Sequence, residues 1–63
     1  MMEDPDYWTI AAMIKYGGGF VVQLGILFRT ADDSNKRILK ETFPEYWKKY
    51  SAMGQKLQEE NNE

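Results

Sequence analysis

Two adjacent carboxylates, Asp32 and Asp33, are the side chains whose type and spacing come nearest to a catalytic or metal-binding pair. Paired carboxylates can bind Mg²⁺ or share a proton in acid–base catalysis. Consecutive helix residues point about 100° apart, however, so this pair would need further ligands from elsewhere in the chain. Helix capping explains both residues without chemistry, since a carboxylate before a helix accepts hydrogen bonds from its free amides and a second one favours the helix dipole. The pair therefore predicts a helix start.

Histidine and cysteine are both absent from the 63 residues. The chain has no general base that titrates near neutral pH, no thiolate nucleophile, no disulfide and none of the usual zinc ligands except carboxylates. We therefore expect no catalytic residues, no metal and no cofactor, and a protein that is not an enzyme. The lack of cysteine also fits a cytoplasmic location.

A basic cluster, Lys36, Arg37 and Lys40, could contact phosphate groups, and Lys48 and Lys49 could join it. Nearby aromatic side chains could stack on bases. The net charge of −2 opposes general attraction to nucleic acid, however. Nucleic-acid binding through Lys36, Arg37 and Lys40 is therefore the alternative function, and a solvated surface is the favoured interpretation of these residues.

Three consecutive glycines stand at positions 17–19, directly before an apolar run. A phosphate-binding loop would need a preceding strand and a lysine inside the motif, and the chain offers neither here. A turn between two helices is favoured, with Gly17 in a left-handed conformation and the next two glycines preventing a Cβ clash. A membrane span over residues 10–28 is a further alternative, although Lys15 and Gln23 lie inside that segment.

The apolar periodicity predicts an all-α protein, a small bundle of three to four short helices. The expected helices cover about residues 5–16, 20–30, 33–41 and 43–58. They would form a single domain over residues 1–58, followed by a frayed tail at 59–63.

Local signals place the helix ends. Pro5 suits the first position of a helix that Asp4 would cap, with Thr9 as an alternative cap for a shorter helix. Thr42 and Glu45 have the spacing of a capping box and predict the start of the last helix.

Each predicted helix has an apolar face that should form the core. In chain order, the residues on these faces are Ile10, Met13 and Ile14, then Phe20, Val21, Leu24, Leu27, Phe28 and Ala31, then Ile38 and Leu39, and finally Phe43, Tyr46, Trp47, Tyr50, Met53 and Leu57.

Some apolar residues remain outside these faces and predict an interface. Val22 and Ile26 lie on the other side of the second helix, beside Gly25, whose missing side chain permits close approach. The alternative is that the last helix covers both residues within the same chain. Trp8 lies away from the predicted core face of the first helix and is a further candidate anchor, or it packs over the aromatic residues of the last helix. A chain of this size gains little from its own core, so self-association or binding to a partner protein is the expected function.

Several segments in order resemble small uncharacterised proteins of phages and prophages. The segments are YW, YGGGFVVQLG, AD with Asn35 close behind, and FPEYWKKY, and the resemblance covers about residues 7–50. It implies an accessory protein in the cytoplasm of a bacterial host cell. It implies no activity and assigns no functional residue.

Overall fold

The computed structural model describes residues 5–61, which form four α-helices. These are α1 (Pro5–Tyr16), α2 (Gly19–Thr30), α3 (Asp33–Thr42) and α4 (Pro44–Asn61). No strand occurs among the described residues, so the predicted all-α fold is confirmed. Asp4, the predicted cap of α1, lies outside the described residues.

The central element is α1, which packs against both α2 and α4. Met13 is fully buried, Ile10 is nearly so, and Ile14 is partly buried against the core, which confirms the predicted core face. Ala12, which is not part of that predicted face, is fully buried as well. Thr9 is buried inside α1 and therefore does not cap it; its Oγ1 lies 3.2 Å from the hydroxyl oxygen of Ser51 on α4. This hydrogen bond satisfies a hydroxyl that would otherwise be costly to bury.

The buried face of α2 is narrower than the sequence predicts. Val21, Leu24 and Phe28 are buried, whereas Phe20 and Leu27 are 57% and 51% exposed. The principal neighbour of α2 is α1, and a helix that packs mainly on one side buries a limited arc. The prediction that Phe20 and Leu27 form core is therefore wrong.

The short helix α3 contributes little to the core. No residue of Asp33–Thr42 is buried, and Leu39 is the partly buried residue that packs against the central cluster. Ile38 is more than half exposed, so its predicted role as an anchor is wrong. The reason is geometric, since adjacent helix residues point about 100° apart and Leu39 already faces inward.

The glycines between α1 and α2 act differently from the prediction. None of the five glycines, all within the described residues, has a positive φ, so Gly17 is not left-handed. A Cβ at Gly17 would lie 2.5 Å from the carbonyl oxygen of Met13 and 2.6 Å from Cγ1 of Val21. At Gly18 and Gly19 a Cβ would meet nothing within 4 Å. Close packing therefore requires glycine at position 17. At positions 18 and 19 a larger residue would cause no Cβ clash.

The helix α4 carries the predicted aromatic face with one exception. Tyr50 and Leu57 are buried, and Phe43, Trp47 and Met53 are partly buried against the core. Tyr46, at 39% exposure, is not a core residue. The helix continues to Asn61, so residues 59–61 are helical rather than part of a frayed tail.

A close contact between α1 and α4 depends on Gly54, which the sequence did not single out. A Cβ at this position would lie 2.6 Å from the carbonyl oxygen of Trp8 and 2.9 Å from the amide nitrogen of Thr9. Both are backbone atoms, which cannot move aside as a side chain can. Gly54 therefore sets how closely the two helices approach.

The predicted cap at Asp32 is confirmed and the one at Thr42 is wrong. Oδ1 of Asp32 accepts a hydrogen bond of 2.9 Å from the amide of Asn35. Thr42 is instead the last residue of α3, and its hydroxyl donates to the carbonyl oxygen of Ile38 at 2.7 Å. The chain turns one residue later, at Phe43, whose carbonyl accepts from the amide of Trp47.

Because only Asp32 caps a helix, alanine substitutions at Asp32 and Thr42 should change the stability by different amounts. Asp32→Ala should lower the free energy of unfolding by about 0.5–2 kcal/mol, because an amide at the start of α3 loses its acceptor. Thr42→Ala should change it by less than about 0.5 kcal/mol, because the residue is exposed and caps no helix. Thermal unfolding followed by circular dichroism measures both. A loss of about 1 kcal/mol with Thr42→Ala would instead support the predicted capping box of Thr42 and Glu45.

Candidate functional site

The residues predicted for an interface fall in different surroundings. Gly25 is buried, and a Cβ there would lie 3.0 Å from Cβ of Met13 and from Cγ1 of Ile14. The close approach that Gly25 permits is therefore used by α1 of the same chain. Val22 and Ile26 are half-buried on the same helix, and a role for them in an interface stays a prediction.

Trp8 is also half-buried, and its ring meets the edge of Tyr7 at 5.0 Å between centroids. Its backbone carbonyl faces Gly54 on α4. The position of this residue is thus fixed by the contact between α1 and α4, while its ring remains partly accessible. Its role as an interface anchor stays a prediction.

The predicted basic cluster does not form one surface. The Lys40 ammonium lies 3.2 Å from the Asp6 carboxylate and 4.7 Å from the centre of the Trp47 ring. These contacts tie α1, α3 and α4 together and make Lys40 structural. Lys36 is half-buried, and Arg37 is exposed next to it on the helix. With Lys40 engaged inside the chain, the arrangement does not favour phosphate binding by all three residues.

The described residues give no support to a metal site at Asp32 and Asp33 or to a membrane span. Asp32 caps α3, and within residues 5–61 no three Asp or Glu side chains come together as metal ligands. In the same part of the chain, no helix combines the length and the apolar character that crossing a membrane requires.

An exposed aromatic cluster lies where the N-terminal ends of α2 and α4 meet. Phe20 contacts Phe43 with 5.8 Å between ring centroids and Tyr46 with 5.7 Å, and the last two are 6.3 Å apart. Phe43 is partly buried against the core, whereas Phe20 is 57% and Tyr46 39% exposed. We call these three residues the aromatic surface cluster.

A further exposed apolar residue, Leu27, lies on the same side of α2 as Phe20. Leu27 lies seven residues after Phe20 and therefore points within about 20° of it on the helix. Both side chains are more than half exposed, with the exposed polar residue Gln23 and the buried Leu24 between them on that side of the helix. Large apolar side chains that are contiguous and exposed are typical of an interaction surface.

Sequence reasoning assigned all members of the cluster to the core. The helical wheel places Phe20 and Tyr46 on apolar faces, but it does not show where a helix extends past its neighbours. Phe20 is the second residue of α2, and Tyr46 is the third of α4. Their position in the first turns did not identify them, because Val21 in the first turn of α2 is buried.

No known protein family, curated protein or solved structure matches the chain.

Proposed function

We propose that the protein acts by protein–protein contact, and that it pairs with a second copy of itself through the aromatic surface cluster. The observation that supports this is the exposure of Phe20 and Tyr46, which contact each other and Phe43 rather than standing alone. Aromatic side chains are enriched among the residues that dominate binding energy. Because the rings already constrain one another, binding would cost less side-chain entropy than it would for isolated rings.

The choice of a second copy follows from size and symmetry. A 63-residue chain without cysteine has a small core, and association would bury additional apolar surface. In a two-fold dimer the same patch faces itself, so rings would meet rings, an arrangement that is favourable for aromatic pairs. The resemblance to phage and prophage proteins supports a role as an accessory protein in the bacterial cytoplasm, where a host protein is the other possible partner.

Alanine at both Phe20 and Tyr46 should weaken self-association by at least about a hundredfold, since each dimer loses four ring contributions of more than about 1 kcal/mol. Sedimentation velocity over a concentration series measures the change. Both side chains are substantially exposed, so helical circular dichroism should persist. Tyr16→Ala is the matched control, because Tyr16 is a similarly exposed aromatic residue at the end of α1.

Ile26→Glu tests the competing surface predicted from the sequence. Ile26 points about 120° away from Phe20 around α2, so the substitution leaves the aromatic surface cluster intact. Loss of association with Ile26→Glu but not with the alanine pair would place the interface on the Val22–Ile26 stripe. A wild type that sediments as a monomer throughout contradicts self-association. A DNA gel shift that weakens steeply with salt would favour the nucleic-acid alternative.

A further inference from the structure

A groove of about 440 Å³ follows one face of α1, away from the aromatic surface cluster. It is lined by Tyr7, Ile10, Ala11, Ile14, Lys15, Arg29 and Lys36. The five residues from α1 recur at the spacing of a single helical face, which explains why they share one surface. Arg29 comes from the end of α2, and Lys36 comes from α3.

The middle of the groove is apolar. Ile10 is buried at its floor, and Ala11 and Ile14 are half-buried beside it. The small side chain of Ala11 leaves room above the helix that a leucine would fill. A volume of this size lies within the range of protein sites for small molecules, which is about 300–1,000 Å³.

The rim of the groove has the opposite charge to the chain as a whole. Among the described residues that line it, every charged side chain is basic, although the net charge of the protein is −2. Lys15 and Arg29 are exposed, and they come from two different helices. The fold therefore gathers cations from α1, α2 and α3 around an apolar floor.

We propose that this groove binds a small amphipathic acid, a molecule with an apolar body and a carboxylate head. The apolar body would cover Ala11 and Ile14, and the carboxylate would accept hydrogen bonds from Arg29, whose planar guanidinium can bind both oxygens at once. The length of the groove favours a small molecule over a peptide. Lys15 lies eight positions after Tyr7, which is about 12 Å along the helix axis and little more than two helical turns.

Three probes of equal chain length test the proposal: octanoate, octanol and octylammonium. Titration of the ¹⁵N-labelled protein, followed by NMR, should show the strongest binding for octanoate, about tenfold tighter than octanol, with octylammonium weakest. The tenfold difference corresponds to two ion pairs of the exposed kind, at up to about 1 kcal/mol each. The shifted amides should be those of α1 around Ala11 and Ile14.

Two variants separate the charge of the groove from its shape. Glutamine at both Lys15 and Arg29 should remove the preference for octanoate over octanol, and both residues are exposed, so the fold should be retained. Ala11→Leu should weaken octanoate and octanol alike by filling the floor. Arg37→Gln is the control, since Arg37 is an exposed base outside the groove.

Equal affinity for the three probes would overturn the proposal, as would shifts confined to residues outside the groove. Absence of any shift with millimolar octanoate would overturn it as well. None of these results depends on the oligomeric state, so the groove and the aromatic surface cluster are tested separately.

Discussion

Phe28→Ala should leave a large share of the molecules unfolded at room temperature. Phe28 is 0% exposed and is one of the two largest fully buried side chains of the described residues. Its ring packs 4.6 Å from the centre of the Trp47 ring and so joins α2 to α4. Removal of a buried phenylalanine costs about 3–5 kcal/mol. A 63-residue chain has a total stability of only about 3–9 kcal/mol, so the loss is comparable with the whole.

Leu27→Ala is the matched control for this prediction. Leu27 is the adjacent residue and is also apolar, but it is 51% exposed, so its removal should cost less than about 1 kcal/mol. Urea denaturation followed by circular dichroism compares the two variants with the wild type. Equal losses at both positions would mean that α2 turns a different face to the core.

Gly54→Ala should destabilise the fold by about 1–3 kcal/mol, the usual range for overpacking. The added Cβ would lie 2.6 Å from the carbonyl oxygen of Trp8, so α1 and α4 would have to separate. Helix propensity alone predicts the opposite sign, because alanine is better than glycine inside a helix by about 1 kcal/mol. The sign of the change therefore decides whether the contact between the two helices limits stability.

Gly19→Ala provides the comparison at a glycine with open surroundings. Nothing lies within 4 Å of a Cβ at this position, and its φ is not positive. Alanine there should stabilise by about 0.4–1 kcal/mol through a smaller conformational entropy of the unfolded chain. If thermal unfolding shows the same shift for both glycine variants, close packing at Gly54 is not the cause.

The helix positions could be predicted because their signals are local. Pro5 begins α1, and Asp32 accepts a hydrogen bond from a backbone amide only three residues later. Both roles depend on chemistry that is visible within one helical turn. The Thr42 prediction failed for a related reason, since its hydroxyl can bond to the preceding turn as well as to the following one, and the local sequence does not choose between them.

The burial pattern and the candidate site could not be predicted in the same way. Phe20 and Phe28 both lie on the predicted apolar face of α2, yet one is exposed and the other is fully buried. Aromatic rings of the α4 region contact both side chains, but Phe28 also belongs to the buried cluster with residues of α1, and that packing is a property of the assembled fold. Gly54 did carry a signal, because a glycine inside a helical pattern often marks close backbone approach. The partner residue, Trp8, lies far away in the sequence and could not be identified from the pattern.

The central position of α1 also constrains how the protein can be made. The hydrogen bond between the hydroxyls of Thr9 and Ser51 spans 42 positions, and Gly54 of α4 packs closely against the backbone of Trp8 and Thr9. During synthesis α1 leaves the ribosome before α4, and until α4 has emerged α1 packs mainly against α2. One side of α1 stays in water during that time, so the core is completed only after α4 has been synthesised. A message cut short before α4 would yield an unfolded fragment that cellular proteases remove.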